Sequence, residues 1–238
     1  MIGVQNVVQV ITNNGSNCVS MGNMLEDEFP SIVWTPCASH CIDLLIEDIG
    51  KISWVDEIFK TSLSMVRFVK KRPKVTSMFR ANSTLELLKP SATRFAYMFI
   101  VLERLIRVHS SLIRTIACQE WLAWSDKDTP KATTFRLNVL NESWWQEAEA
   151  LVKSLTPFYT VLRITDMEGS TLGLLYEYMD KIGEALLQNS YLSQNKCQVM
   201  KMCYVFCYIY CIIYMFVECC ICFLNLQCGI MLHRNRDQ

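Results

Sequence analysis

A net charge is missing from this chain: 23 basic and 23 acidic side chains cancel over its 238 residues. A protein that grips nucleic acid across its whole surface carries an excess of Lys and Arg. That class is excluded at the level of the whole chain, and only a local basic patch stays open. A secretory leader is not expected either, because Met1-Ile2-Gly3-Val4-Gln5-Asn6 has neither a basic start nor an apolar core. Cysteine is scarce until residue 197, being confined before it to Cys18, Cys37, Cys41 and Cys118. A disulfide framework is therefore not expected, and a reducing compartment is. What the chain does have is length and apolar content enough to bury a real core in one or two domains.

Residues 7–11 are apolar and β-branched, as a buried strand requires. Asn13-Asn14-Gly15-Ser16 is turn chemistry, with Ser16 or Asn17 able to cap a helix that runs to about Glu28. Pro30 stops it. Residues 32–35 form a second short strand, Pro36 and Cys37 turn the chain, and residues 39–49 read as a helix ending at Gly50. Strand–helix–strand–helix is an α/β beginning. From Ser53, with Asp56 a candidate capping partner, the periodicity is helical. Its apolar stripes are Val55, Ile58, Phe59, Ser62, Val66, Val69; then Phe95, Met98, Phe99, Leu102, Leu105, Ile106; then Trp145, Ala148, Val152, Leu155, Tyr159, Leu162; then Leu175, Tyr178, Met179, Ile182, Ala185, Leu186. Such stripes mean core packing. Pro73 ends the first, and Ser143 with Gln146 supplies a capping box for the third, which Pro157 kinks. Residues 119–138 are polar and interrupted, and read as a surface loop with short helical pieces.

The stretch that carries chemical information begins with Val7-Val8-Gln9-Val10-Ile11-Thr12-Asn13-Asn14-Gly15-Ser16-Asn17. It continues with Trp34-Thr35-Pro36-Cys37-Ala38-Ser39-His40-Cys41-Ile42-Asp43-Leu44-Leu45, and later come Thr93-Arg94-Phe95 and Leu175-Tyr176-Glu177-Tyr178-Met179-Asp180. In this order they resemble the middle of the catalytic domain of hAT-superfamily DNA transposases, the plant Activator type. The resemblance implies a partial ribonuclease-H-like sheet followed by a helical insertion. It also implies a nuclear location and DNA as partner. In that family the first strand ends in an Asp, one of three carboxylates that hold two divalent cations such as magnesium. Hard cations of this kind take oxygen ligands and clamp the attacking and leaving oxygens of a phosphodiester. Here the position is Asn13, a neutral amide. The family's other two acids fall outside the matching segments, so the expectation is a truncated, catalytically inactive transposase-like chain with no catalytic residue and no bound metal or cofactor. Asp27, Glu28, Asp43, Glu47 and Asp48 read as ordinary helix-surface carboxylates.

Cys37 and His40 match the family's Cys-x-x-His element, which the resemblance places near the active-site end of the sheet, against a DNA phosphate or base. The residues alone also fit a small buried Cys37 and a hydrogen-bonded His40 at a helix start. Two ligands fall short of the four that a structural zinc site uses. A Cys37–His40 hydrolase lacks a third, orienting group. By the same resemblance Arg94 touches phosphate. Lys70, Lys71 and Arg72, with Lys74 and Arg80, form the best local basic patch, read either as a solvated helix end or as a contact to the DNA backbone.

Residues 202–224 differ in kind: 23 residues with Glu218 as the single formal charge, and eight cysteines crowd positions 197–228. The run is long enough for a bilayer-spanning helix at about 1.5 Å per residue. The alternation of Tyr204, Phe206, Tyr208 and Tyr210 suits a strand equally well. Read-through past an intron or a broken frame is a third source for it. The expected organisation is a partial ribonuclease-H-like core over residues 1–52, a helical insertion-like region over 53–195, and a Cys/aromatic-rich tail over 196–238. The fold class is an α/β start followed by a mainly helical region. The competing expectation is a single-span membrane-anchored protein with a soluble domain in front; the oligomeric state stays open.

Overall fold

The computed structural model describes residues 3–89 and 95–165, together with a short helical segment at 177, 178, 180–182 and 184. Arg94 and the segment at 202–224 lie outside the described residues, as does most of the fourth stripe. The fold opens with two short parallel strands, β1 (Gln9–Thr12) and β2 (Val33–Pro36), connected by helix α1 (Ser16–Glu28). Gln9 pairs with Val33 and Thr12 with Pro36. One tryptophan ties this unit together. Trp34 donates its backbone N–H to Glu26 Oε1 of α1 and its indole Nε1–H to Thr12 Oγ1 of β1, both at 2.9 Å. Its ring lies against Gly22, where α1 crosses the sheet without a side chain. The buried Gln9 side chain donates to Thr35 Oγ1 at 2.9 Å, so the one polar side chain β1 buries is satisfied across the strand pair.

Pro36 ends β2, and the Cys37 amide donates to the Thr12 carbonyl at 2.7 Å as the chain enters α2 (Ala38–Lys51). Ile42, Leu45, Ile46 and Ile49 recur at helical spacing on the buried face of α2. Gly50 does not end this helix; it is buried within it, and the break comes at Ile52, whose ψ of 128° is extended. Helix α3 (Ser53–Lys70) follows, then α4 (Pro73–Asn82), with Pro73 at a position where its missing N–H costs nothing. The remainder is α5 (Phe95–Arg107), α6 (His109–Ala117), α7 (Gln119–Leu122), α8 (Pro130–Leu140) and α9 (Glu142–Thr165). The architecture is thus an α/β start with a two-stranded parallel sheet, followed by a helical region that makes up most of the fold.

Two buried clusters hold the helices. One joins α2, the first half of α3, Phe99 and Leu102 of α5, and α9, with Ile182 completing it. The other joins the second half of α3, α4, α6, Trp121, Trp124, α8 and Trp145. Helices α3 and α5 contribute to both, so packing is continuous across Ile52.

Several local expectations need correction. Residues 119–138 are not a surface loop: Trp121 and Trp124 are buried, and α8 packs Ala132, Phe135 and Val139 into the core. Phe135 stacks on Phe68 of α3 with centroids 4.4 Å apart and planes 13° from parallel. Three aromatic anchors spaced among polar residues supply the burial that a regular stripe supplies elsewhere. Ser53 does not cap α3; it is the first helical residue, behind Ile52. At α9 the capping side chain is Asn141, whose Oδ1 accepts from the Trp144 amide at 3.2 Å and from Ser143 Oγ at 2.9 Å. Helix α9 runs on through Pro157. Among the described residues, no helix is long and apolar enough to cross a membrane.

Candidate nucleic-acid interface

Parallel strands place their βα turns at one edge, so the turns after β1 and β2 meet there, where α/β sheets bind ligands. Asn13 follows β1 directly and is exposed; its Oδ1 accepts from the Gly15 amide at 3.1 Å and shapes the turn into α1. The next residue, Asn14, reaches across to α2 and donates its Nδ2–H to Cys41 Sγ at 3.1 Å, joining the two turns. Asn14 Oδ1 and Asp43 Oδ1 are buried with no hydrogen-bond partner among the described residues. Cys37 occupies the position before α2, half-buried. His40 is half-buried in the first turn, and its side chain makes no hydrogen bond to a described residue, contrary to the expectation of a hydrogen-bonded helix start.

These residues do not fit a magnesium ion. Asn13 offers a neutral oxygen already engaged by a backbone amide, and the side chains that meet beside it are a second amide and a thiol. A hard dication needs several anionic oxygens. Among the described residues no three His, Cys, Asp or Glu side chains converge as a metal-holding group.

The basic patch at the end of α3 divides in two. Lys70 and Arg80 turn to Glu86: Lys70 Nζ lies 3.6 Å from its carboxylate, and Arg80 Nε donates to it. That carboxyl is held below the usual glutamate range, first by the Arg80 hydrogen bond and then by the charges of Arg80 and Lys70. Lys71 and Arg72 face elsewhere, into an open groove of about 600 Å³ between α3 and α8. Arg72 sits over the Phe68 ring at 4.0 Å and donates Nη1–H to the Phe68 carbonyl at 3.2 Å. The groove also gathers Arg67 from one turn earlier in α3 and Lys131 from the start of α8. Sequence reasoning missed these two. Arg67 lies four residues before Lys71, hence on the same helix face, and this was the available signal. Lys131 carries none, because only the stacking of Phe135 on Phe68 brings α8 there.

Residues 1–65 match the family model described as a domain of unknown function, DUF659, a domain found in hAT-type transposase-like proteins. The match spans the sheet edge and most of α3, and ends before Arg67, Lys71, Arg72 and Lys131, so the groove's cations lie outside it. No curated protein and no solved structure matches the chain.

Proposed function

We propose that this chain is an hAT-type transposase-like protein that has lost strand cleavage and retains binding to nucleic acid in the nucleus. The carrying observation is Asn13 at the carboxyl end of β1, its amide oxygen engaged in its own turn. Cleavage in this class depends on carboxylates that share two dications, so replacing one by an amide removes charge where the developing negative charge is largest. Phosphate binding makes no such demand. Lysine and arginine at one surface suffice, and the end of α3 supplies them despite the chain's net charge of zero.

The match over residues 1–65 supports the transposase-like part of this reading. The test of lost cleavage uses supercoiled plasmid with magnesium or manganese. Neither the native chain nor Asn13→Asp is expected to nick it, because the neighbouring donors remain an amide and a thiol. Metal-dependent nicking by Asn13→Asp would show that the remaining acids are in place and that the loss is a single substitution. Binding is tested by gel shift at low and moderate salt, where a complex that weakens steeply with salt is expected.

A further inference from the structure

This inference rests on the nucleic-acid reading above and names the form of the ligand. Several cations elsewhere on the described surface pair with acids: Lys51 with Glu47 and Asp48, Lys60 with Asp56, Lys70 and Arg80 with Glu86, Lys127 with Asp128. Others, Arg104 and Arg114 among them, donate to backbone carbonyls of neighbouring segments. The groove between α3 and α8 instead gathers four cations at one place. Arg67, Lys71, Arg72 and Lys131 border it, and no carboxylate lines it. None of the four has an ion-pair partner among the described residues. Four like charges around one concavity repel each other, and an anion entering it relieves that repulsion.

We propose that this groove seats the phosphates of a single nucleic-acid strand. Arg67, in the last turn of α3, and Lys71, which caps the helix in helical conformation, stand one turn apart, about 5–6 Å between their Cβ atoms. That spacing is comparable to the step between neighbouring phosphates of an extended strand. Lys131 approaches from the α8 wall, so a strand lying between the helices has its charge met from both sides. Ser64 and Thr134 bring hydroxyls able to donate to non-bridging oxygens, and Pro130 gives an apolar wall for a sugar. The volume, about 600 Å³, takes a nucleotide or two of one strand. A duplex, with two backbones joined by stacked pairs, is too wide to enter. An acidic polypeptide meets the charge requirement but brings single charges on flexible stems, without a fixed repeat along its backbone.

The experiment uses the full chain and fluorescence anisotropy across a potassium chloride series. The probes are labelled oligothymidylate, the same strand annealed to oligoadenylate, and polyglutamate as competitor. Oligothymidylate is expected to bind more tightly than the duplex. The double variant Arg67→Gln/Lys131→Gln is expected to bind it about tenfold more weakly, with the slope of log K against log salt reduced by about 1.4, near 0.7 per lost phosphate contact. Lys60→Gln, on a cation already paired with Asp56, is expected to leave binding unchanged. All three substituted side chains are exposed, and thermal melting of each variant by circular dichroism checks that it folds. Native-like binding by a folded double variant overturns the groove assignment and leaves the nucleic-acid reading standing. A native preference for duplex, or displacement by polyglutamate at equal charge, also overturns it. Failure of the native chain to bind either nucleic acid overturns both.

Discussion

Replacing Gly22 by alanine has opposite expected signs in an isolated helix and in this protein. In a helix interior with open space, Gly→Ala stabilises by about 0.5–1 kcal/mol, because alanine loses less backbone entropy. At Gly22 there is no such space. A Cβ built there lies 2.3 Å from Trp34 Cδ2 and 2.4 Å from Cγ, where ordinary contact begins at 3.4 Å. The indole is 8% exposed and tethered by its Nε1–H to Thr12 Oγ1. Moving the ring aside strains the tether, worth about 1 kcal/mol, and forces repacking that costs about 1–3 kcal/mol. The clash exceeds the propensity gain, and a net loss of about 1–2 kcal/mol is expected. Urea unfolding followed by far-ultraviolet circular dichroism measures it. The decisive arm repeats the substitution in a Trp34→Ala background: with the ring gone, Gly22→Ala is expected to stabilise by about 0.5–1 kcal/mol. The same sign in both backgrounds would refute the packing argument. The outcome matters beyond stability, since Trp34 positions the β2–α2 turn from which Cys37 and His40 project.

Phe135→Ala removes the ring that seats α8 on Phe68, and a loss of about 3–5 kcal/mol in denaturant unfolding is expected. Salt-sensitive nucleic-acid binding falls with it as the groove loses one wall. Glu86→Gln acts differently. The Glu86 pKa lies lower in the folded chain than in the unfolded one, so its stabilisation is present above the ordinary glutamate range and fades as pH falls through the depressed value. The exposed pairs are worth below about 1 kcal/mol at neutral pH, so the native chain and the variant differ slightly in unfolding midpoint there and converge in acid. The variant also frees Lys70 and Arg80, so nucleic-acid binding measured at low salt is expected to tighten.

The α/β start was legible because its signals are local. A β-branched run, a turn at Asn13-Asn14-Gly15, and Pro36 followed by an amphipathic run place β1, α1, β2 and α2 to within a few residues. The stripes of α3, α5 and α9 were legible for the same reason: one helix face shows itself at a fixed period. Residues 119–138 were not legible, because their burial rests on Trp121, Trp124 and Phe135 without a continuous stripe. At the sheet edge, the Asn14–Cys41 bond was hidden because it joins turns that only strand pairing brings together.

By itself the sequence determined roughly where β1, α1, β2, α2, α3, α5 and α9 lie, and that Asn13, not an acid, follows the first strand, because dihedral preference and side-chain identity belong to the chain locally. It also determined that positive and negative charges balance in total. Only tertiary packing decided how those charges are distributed. Folding α8 onto α3 through Phe68 and Phe135 leaves Arg67, Lys71, Arg72 and Lys131 around one groove while Glu86 holds Lys70 and Arg80. A net charge is a sum over the chain, whereas an anion responds to the field at one place on the surface.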